Sequence, residues 1–371
     1  MLNILLAPDK FKDSLSAEQV CAALSEGLVK KYPHATIRNV PLADGGEGTS
    51  ELLTRYFNGT TVKVAVSNPL FEPITATYGY AAQEQMAFIE MAKASGLVLV
   101  AKEKRNPLYT TTYGTGQLIK DALDRGARKI LLGIGGSATN DAGMGMAEAL
   151  GAQFFNQHRQ KIKPTGEHLI HLHSIDASYI DPRVKETEFI ALCDVSNPLY
   201  GPIGAAHVYA PQKGADDKAI ALLEEGIKNY EKVVQNTLGL AADFPGAGAG
   251  GGMASGARVF LNARITKGMD YVIDALQLEE KIKQADLVIT GEGKIDRQTL
   301  SGKVVAAIAR LAQQHHKKMI AICGVCELSE EQLRKMGIHQ TISLTDPFTS
   351  HTEAVKNATA LLRERVAEIR L

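Results

Sequence analysis

The sequence predicts an α/β protein of two domains: a parallel-sheet Rossmann/flavodoxin-like domain made from both chain ends, with an inserted mixed α/β domain. Both chain ends alternate short apolar runs with helical patterns, which is typical of β/α units and parallel sheets. The middle mixes hairpin-like strands with helices. At 371 residues, the chain is long enough for two domains of ordinary size. We expect residues 1–67 and 284–371 to form the first domain and residues 68–283 the inserted one.

Charge and composition exclude several classes of function. Lys plus Arg and Asp plus Glu both total 41, so we expect no general attraction to nucleic acid or to a membrane surface. No run approaches the roughly 20 apolar residues of a membrane span. The amino terminus has no basic region or cleavage site of a signal peptide, and four cysteines are too few for a disulfide framework. We therefore expect a cytoplasmic protein with small-molecule partners, and a homo-oligomer stays open.

The amino-terminal β/α units place charged side chains after two predicted strands, at residues 3–7 and 36–40. Ser16 and Gln19 form a capping box, which predicts that a helix begins there. Ligands bind at the carboxyl ends of parallel strands. We therefore expect function from the side chains in the two loops after these strands: Lys10, Lys12, Asp44 and Glu47. A solvated loop, or acids that merely stabilise a helix start, is the structural alternative.

The middle of the chain contains the most prominent motif, residues 133–145, GIGGSATNDAGMG. It lies between a predicted strand at 129–132 and a predicted helix at 144–150. Glycines let a ligand approach the backbone N–H groups, and a helix start favours anions. We predict a phosphate or carboxylate cradle, with a tight structural turn as the alternative. Its contacts would be Gly135, Gly136, Ser137, Thr139 and Asn140. Asp141 would orient a hydroxyl, reach a metal or cap the helix.

A second glycine-rich stretch, residues 245–253, also fits a phosphate contact. No clear strand precedes it, so it is a weak dinucleotide motif. We interpret it as a phosphate-covering or hinge loop in which Gly248, Gly250 and Gly251 contact the ligand. It follows a predicted long helix that Asp216 caps and Gly239 ends.

Two near-copies of one motif occur in the chain, SNPLFEPI from residue 67 and SNPLYGPI from residue 196. Each follows a strand-like run. A turn that starts at Asn-Pro is one interpretation, and an internal duplication is the other.

The carboxyl-terminal β/α units begin with a predicted strand at residues 285–290, followed by a charged loop. In this loop we predict Glu292 and Asp296 as metal ligands and Lys294 as a phosphate contact, with a solvated loop as the alternative. Lys303 is followed by Val304, so the sequence has no Walker A motif. The CxxC spacing of residues 323–326 has no second pair to complete a zinc site.

These side chains suit phosphoryl transfer. That reaction needs positioning, cations on phosphate oxygens, carboxylates for Mg²⁺ and an oriented hydroxyl. Asp194 follows the predicted strand 189–193 and is our candidate for the general base; capping a turn is its alternative role. Lys10 and Asp44 complete the predicted catalytic set.

At these residues the sequence resembles type-1 glycerate kinases over nearly its whole length. The resemblance rests on five blocks in order: residues 7–15, 41–48, 133–143, 193–199 and 290–296. It implies ATP-dependent phosphorylation of glycerate with Mg²⁺, and 2-phosphoglycerate as the product of bacterial members. We place this reaction in an interdomain cleft. The residue roles given above come from chemistry and position, since the resemblance supplies none.

Two other functions stay open at this point. A nicotinamide-dependent hydroxyacid oxidoreductase would explain the glycine turns, but no acid stands between Glu148 and Glu167, where the ribose contact belongs. A non-enzymatic hydroxyacid-binding sensor would explain two domains without chemistry.

Overall fold

The computed structural model describes residues 1–46, 48–301, 303–346 and 349–370. The chain divides into two compact units, the first made of Met1–Gly45 with Gly268–Leu371 and the second of Gly46–Lys267. In the described ranges no helix is both long and apolar enough to cross a membrane.

Thirteen strands alternate with helices in these residues. The strands are β1 Asn3–Leu6, β2 Thr36–Asn39, β3 Thr60–Ser67, β4 Pro73–Ala81, β5 Met86–Glu90, β6 Lys129–Gly133, β7 Gln153–Phe155, β8 Ser174–Asp176, β9 Glu188–Leu192, β10 Arg264–Thr266, β11 Leu287–Ile295, β12 Lys318–Cys326 and β13 Gln340–Ser343. The α-helices are α1 Ala17–Lys31, α2 Thr49–Tyr56, α3 Ala92–Ser95, α4 Tyr113–Asp124, α5 Met144–Ala149, α6 Ala205–Tyr209, α7 Asp217–Leu238, α8 Ala249–Leu261, α9 Gly268–Ala275, α10 Leu278–Gln284, α11 Val304–Gln314, α12 Glu330–Lys335 and α13 His351–Arg365. Short 3-10 helices span Leu97–Leu99, Lys102–Lys104, Gly166–His171, Pro182–Glu186, Pro211–Lys213, Thr299–Ser301 and Val366–Glu368.

The first unit is built on a five-stranded sheet in the order β13-β12-β11-β1-β2, and all its neighbouring strands are parallel. Alternate strand residues such as Leu6 and Ile289 enter a core with α1 and α13. Helix α11 packs against β11 and β12. This sheet confirms the predicted Rossmann/flavodoxin-like domain from both chain ends, and it places the carboxyl ends of β1 and β11 side by side.

Helix α1 shows that the local sequence was sufficient to predict where this helix begins. Ser16 Oγ accepts the N–H of Gln19, and Gln19 Oε1 accepts the N–H of Ser16, so the predicted capping box is formed. Val20, Leu24 and Leu28 recur every four residues and are all buried. The helix therefore begins at its cap and buries one stripe against the sheet.

The second unit contains a six-stranded mixed sheet in the order β10-β9-β6-β5-β4-β3. Strands β3, β4 and β5 pair antiparallel, whereas β5, β6, β9 and β10 pair parallel. Asp216 caps α7 by accepting the Ala219 N–H, and Gly239 ends it in the left-handed conformation, both as predicted. A two-stranded ribbon of β7 and β8 completes the strands of this unit that the structure describes.

The unit boundaries differ from those predicted after residues 67 and 283. Strand β3 pairs along its whole length with β4, so it lies in the second unit. Helices α9 and α10 belong to the first unit. The strand before the predicted charged loop ends later than expected, since β11 continues to Ile295 by pairing with β12. Pairing with a neighbour overrides the weak strand propensity of Gly, Glu and Lys.

The two SNPL motifs form turns in different settings. Asn68 Oδ1 accepts the N–H groups of Leu70 and Glu72 and closes the turn between β3 and β4. Asn197 follows β9, and its side-chain amide donates to the Ile203 carbonyl. The turn interpretation therefore explains the shared sequence.

Candidate active site

A pocket of ≈ 430 Å³ lies at the carboxyl ends of β1, β2 and β11 in the first unit; we call it the charged pocket. Six of the predicted site residues line it: Lys10, Lys12, Asp44, Glu292, Lys294 and Asp296. Asp9 and Lys303, which sequence reasoning did not select, line it as well. Parallel strand ends bring these side chains together from three separate parts of the chain.

Two acids of the charged pocket have raised pKa values. Burial, with a smaller contribution from the charge of Asp44, raises the pKa of Asp9 to about 6, although the Lys10 N–H that donates to Asp9 Oδ1 at 2.7 Å lowers it. Burial also raises the pKa of Glu292 to about 7, with a contribution from Asp9, while the Thr299 hydroxyl donates to it at 2.8 Å. Mutually repelling acids with raised pKa values are typical of functional sites.

Lys294 lies within β11 and Asp296 follows the strand directly, and both contact residues nearby in the fold. Lys294 Nζ lies 2.8 Å from Glu327 and 3.7 Å from Asp296, with half of its side chain exposed. Asp296 Oδ1 accepts the Gln298 N–H. The prediction put Glu292 and Lys294 in a loop, which is wrong, because both lie within β11.

The charged pocket fits Mg²⁺ better than a metal held by protein ligands alone. In the described part of the chain, no three or more His, Cys, Asp or Glu side chains are arranged to hold a metal ion. Mg²⁺ usually takes only one or two carboxylates and fills its other positions with phosphate oxygens and water. Glu292, with Asp9 and Asp296 close enough to raise its pKa, offers carboxylates of the kind that this smaller requirement needs.

The second candidate region is the glycine turn, residues 134–143, which connects β6 to α5. Gly135 and Gly136 are exposed, whereas Ser137, Thr139 and Asn140 are buried. Thr139 Oγ1 and both polar atoms of the Asn140 side chain have no hydrogen-bond partner among the described residues. Buried polar groups in this state call for an explanation, and a ligand at the turn is one.

Asp141 in the same turn has a structural role. Its carboxylate is fully buried and accepts four hydrogen bonds, from the N–H and hydroxyl of Thr112 and from the N–H groups of Gly143 and Gly145. Burial raises its pKa and these donors lower it. Of its three possible roles, fixing the turn before α5 is the one that these contacts support.

Lys213 is the buried cation that sequence reasoning missed. It is 2% exposed, and its Nζ donates to Ser137 Oγ and to the Thr139 carbonyl, both at 2.7 Å. Burial lowers its pKa to about 7, and the charge of Asp141 opposes that shift. A single lysine in a Pro-Gln-Lys-Gly segment resembles any solvated turn, so no local signal pointed to it.

The second glycine stretch packs against the glycine turn. Gly250, Gly251 and Gly252 have φ values of 65°, 72° and 85° before the regular part of α8. A Cβ on Gly251 would lie 1.9 Å from the Thr139 carbonyl oxygen, and one on Gly248 would lie 2.3 Å from the Pro198 carbonyl oxygen. Close backbone packing therefore accounts for these glycines, and their predicted phosphate contacts stay a prediction.

Asp194 and Glu47 are the remaining predicted residues. Asp194 is exposed and follows the end of β9 at Leu192. Its role as the general base stays a prediction. Glu47 falls outside the described residues.

Comparisons with known proteins agree with one another. A sequence model of the glycerate kinase family matches residues 4–370. The chain is 43% identical over 370 residues to a glycerate kinase of Halalkalibacterium halodurans, which covers 100% of this chain and 97% of the relative. It is 42% identical over 358 residues to a glycerate 2-kinase of Escherichia coli, and the match covers 96% of this chain and 94% of that relative. A crystal structure from Salmonella typhimurium LT2, assigned as glycerate kinase 2, superimposes with a TM-score of 0.90 at 41% identity and covers 99% of this chain and 96% of that one.

Proposed function

The chain belongs to the glycerate kinase family, and we propose that it transfers the terminal phosphoryl group of ATP to glycerate and releases 2-phosphoglycerate. A kinase acting on a small molecule replaces the oxidoreductase and the sensor considered from the sequence. The relative from Escherichia coli that is called a glycerate 2-kinase supports the choice of product.

The charged pocket is the observation that carries this proposal. Lysines and carboxyl groups line one cavity at parallel strand ends. Phosphoryl transfer depends on positioning and on positive charge at the phosphate oxygens. We assign phosphate or carboxylate binding to Lys10, Lys12 and Lys303, whose ammonium groups carry that charge. Lys294 contributes less, because Glu327 and Asp296 already pair with it.

Glu292 would hold Mg²⁺ together with Asp296 or Asp9. A bound Mg²⁺ supplies positive charge that bridges and neutralises phosphate oxygens. Without a cation, burial makes the ionised forms of Asp9 and Glu292 costly, as their raised pKa values indicate. Asp44 adds to the negative charge around Asp9. These carboxyl groups therefore favour a cation in the pocket.

The proton of the attacking glycerate hydroxyl needs an acceptor. Asp194 is the proposed general base, and its exposed carboxylate is accessible to a substrate. Asp9 is the alternative, since a pKa of about 6 is closer to that of an efficient base near neutral pH.

A steady-state assay tests the proposal. We expect ADP formation from ATP only when D-glycerate is present, and loss of turnover when EDTA removes Mg²⁺. The same protein should reduce no NAD(P)⁺ with glycerate. Tight binding of glycerate without ADP formation would contradict the proposal and restore the sensor.

A further inference from the structure

A buried cation supports the glycine turn. The Lys213 ammonium donates to Ser137 Oγ and to the Thr139 carbonyl, and Asp141 supplies an attractive charge. Burying an ammonium ion is unfavourable unless it is paired and hydrogen-bonded. Methionine has a similar length and would fill this space without burying a charge. The cation therefore calls for a functional explanation.

The hydrogen-bond pattern fixes the direction of the Ser137 hydroxyl. In its charged form, Lys213 has donors and no acceptor, so Ser137 Oγ accepts from Lys213 Nζ and the Ser137 proton is directed elsewhere. Beside it, Gly135 and Gly136 are exposed, and a Cβ on Gly135 would meet no atom within 4 Å. A ligand can approach the turn there. The buried polar atoms of Thr139 and Asn140, which have no partner in the part of the chain that the structure describes, lie in the same turn.

We propose that Lys213 is a positioning residue, which holds Ser137 so that its hydroxyl donates to an anionic oxygen of a bound substrate at the glycine turn. The proposal rests on the proposed function, which names ATP and glycerate as the substrates. The phosphate oxygens of ATP and the carboxylate oxygens of glycerate both accept a hydrogen bond from a hydroxyl. A contact present in both the ground state and the transition state changes KM and leaves kcat nearly unchanged. Loss of either side chain should therefore raise the KM of one substrate, and the affected substrate identifies the oxygen.

Three variants test this: Lys213→Met, Ser137→Ala and the double variant, with KM measured separately for ATP and for D-glycerate. Each single variant should raise the KM of the same substrate by about 10- to 100-fold, the range for a hydrogen bond to a charged group. Because the two side chains act as one unit, the double variant should raise KM no more than Lys213→Met alone does. The exposed Lys218→Met is the matched control and should leave both KM values unchanged.

Ser137→Ala keeps the test decisive if Lys213→Met does not fold, since it leaves the Lys213 contact with Thr139 in place. Unchanged KM values in Ser137→Ala, fully additive effects, or a fall in kcat alone would overturn the proposal. If the wild-type protein forms no ADP, the proposed function fails separately. In that case, affinities for ADP, inorganic phosphate and D-glycerate are measured by calorimetric titration in place of KM. Loss of affinity for the same ligand in Lys213→Met and Ser137→Ala supports the positioning role, and unchanged affinity in Ser137→Ala overturns it.

Discussion

The charged pocket and the glycine turn, the two regions that we propose for anionic substrates, differ in their chemistry. The pocket uses ionisable side chains at strand ends, and burial together with neighbouring acids raises the pKa values of Asp9 and Glu292. The turn uses glycines, backbone groups and one buried cation, Lys213. In the pocket, the unfavourable buried charges are those of Asp9 and Glu292, and a bound cation would stabilise them. In the turn, the unfavourable buried charge is that of Lys213, which donates to Ser137 and Thr139.

The largest expected effect is a fall in kcat, and it decides whether the general base is Asp194 or a buried acid of the charged pocket. Asp194→Asn should lower kcat by about 10²–10⁴-fold, because general-base catalysis contributes that much, with the KM of ATP nearly unchanged. Asp243→Asn is the control for a structural role, since Asp243 Oδ1 caps the nearby turn through the Leu199 N–H; it should lower Tm rather than kcat. If Asp194→Asn retains turnover and loses Tm, Asp194 is a turn cap and Asp9 becomes the base.

A pair of glycine substitutions separates structural from ligand-facing positions. Gly251→Ala should destabilise the protein by more than about 3 kcal/mol, because the new Cβ meets a carbonyl oxygen at 1.9 Å and φ is +72°. Gly135→Ala meets no atom within 4 Å, so Tm should hold while the KM of one substrate rises. Thermal unfolding and kinetics check both. Equal Tm values in the two variants would show that the close packing is not required.

Two lysines of the charged pocket give a smaller and graded effect. Lys303→Met should raise the KM of ATP or glycerate about 10-fold or more, because its charge also favours the ionised forms of Asp9 and Glu292. Lys294→Met should change KM by less than about 3-fold, since that ammonium already pairs with Glu327 and surface pairs contribute little. The reverse order in steady-state kinetics would move the phosphate contact to Lys294.

The last effect is the pH dependence of stability at Lys213. Its pKa is about 7 in the folded protein, against 10.5 for a lysine in the unfolded chain. Between these values the unfolded chain binds a proton that the folded protein does not, so stability rises with pH by about 1 kcal/mol per unit above pH 7. Denaturant unfolding of the wild type relative to Lys213→Met, at pH 7 and pH 9, measures this slope. A flat difference would mean that Lys213 keeps its proton.

The sequence predicted features whose signals are local. Helix α7 begins and ends where Asp216 and Gly239 indicate, and the capping box at Ser16 starts α1. By contrast, the extension of β11 to Ile295 depends on pairing with β12, and neither segment reveals its partner. Contacts that join distant parts of the chain lie beyond local patterns.

The candidate sites divide in the same way. Glycine patterns and strand-end acids pointed to both regions, and six predicted residues do line one pocket. Lys213 lies more than 70 residues along the chain from Ser137 and Thr139, to which it donates. Burial, which creates its shifted pKa, is a property of the folded protein. For the same reason Asp9 looked like one more charge of a polar loop.

The most direct test of the account is the identity of the product. Purified protein with ATP, Mg²⁺ and D-glycerate is followed by ³¹P NMR until the substrate is consumed. We predict ADP and 2-phosphoglycerate in equal amounts, with no inorganic phosphate formed in the absence of glycerate. A 3-phosphoglycerate signal would contradict the proposed product, and unchanged ATP would contradict phosphoryl transfer itself.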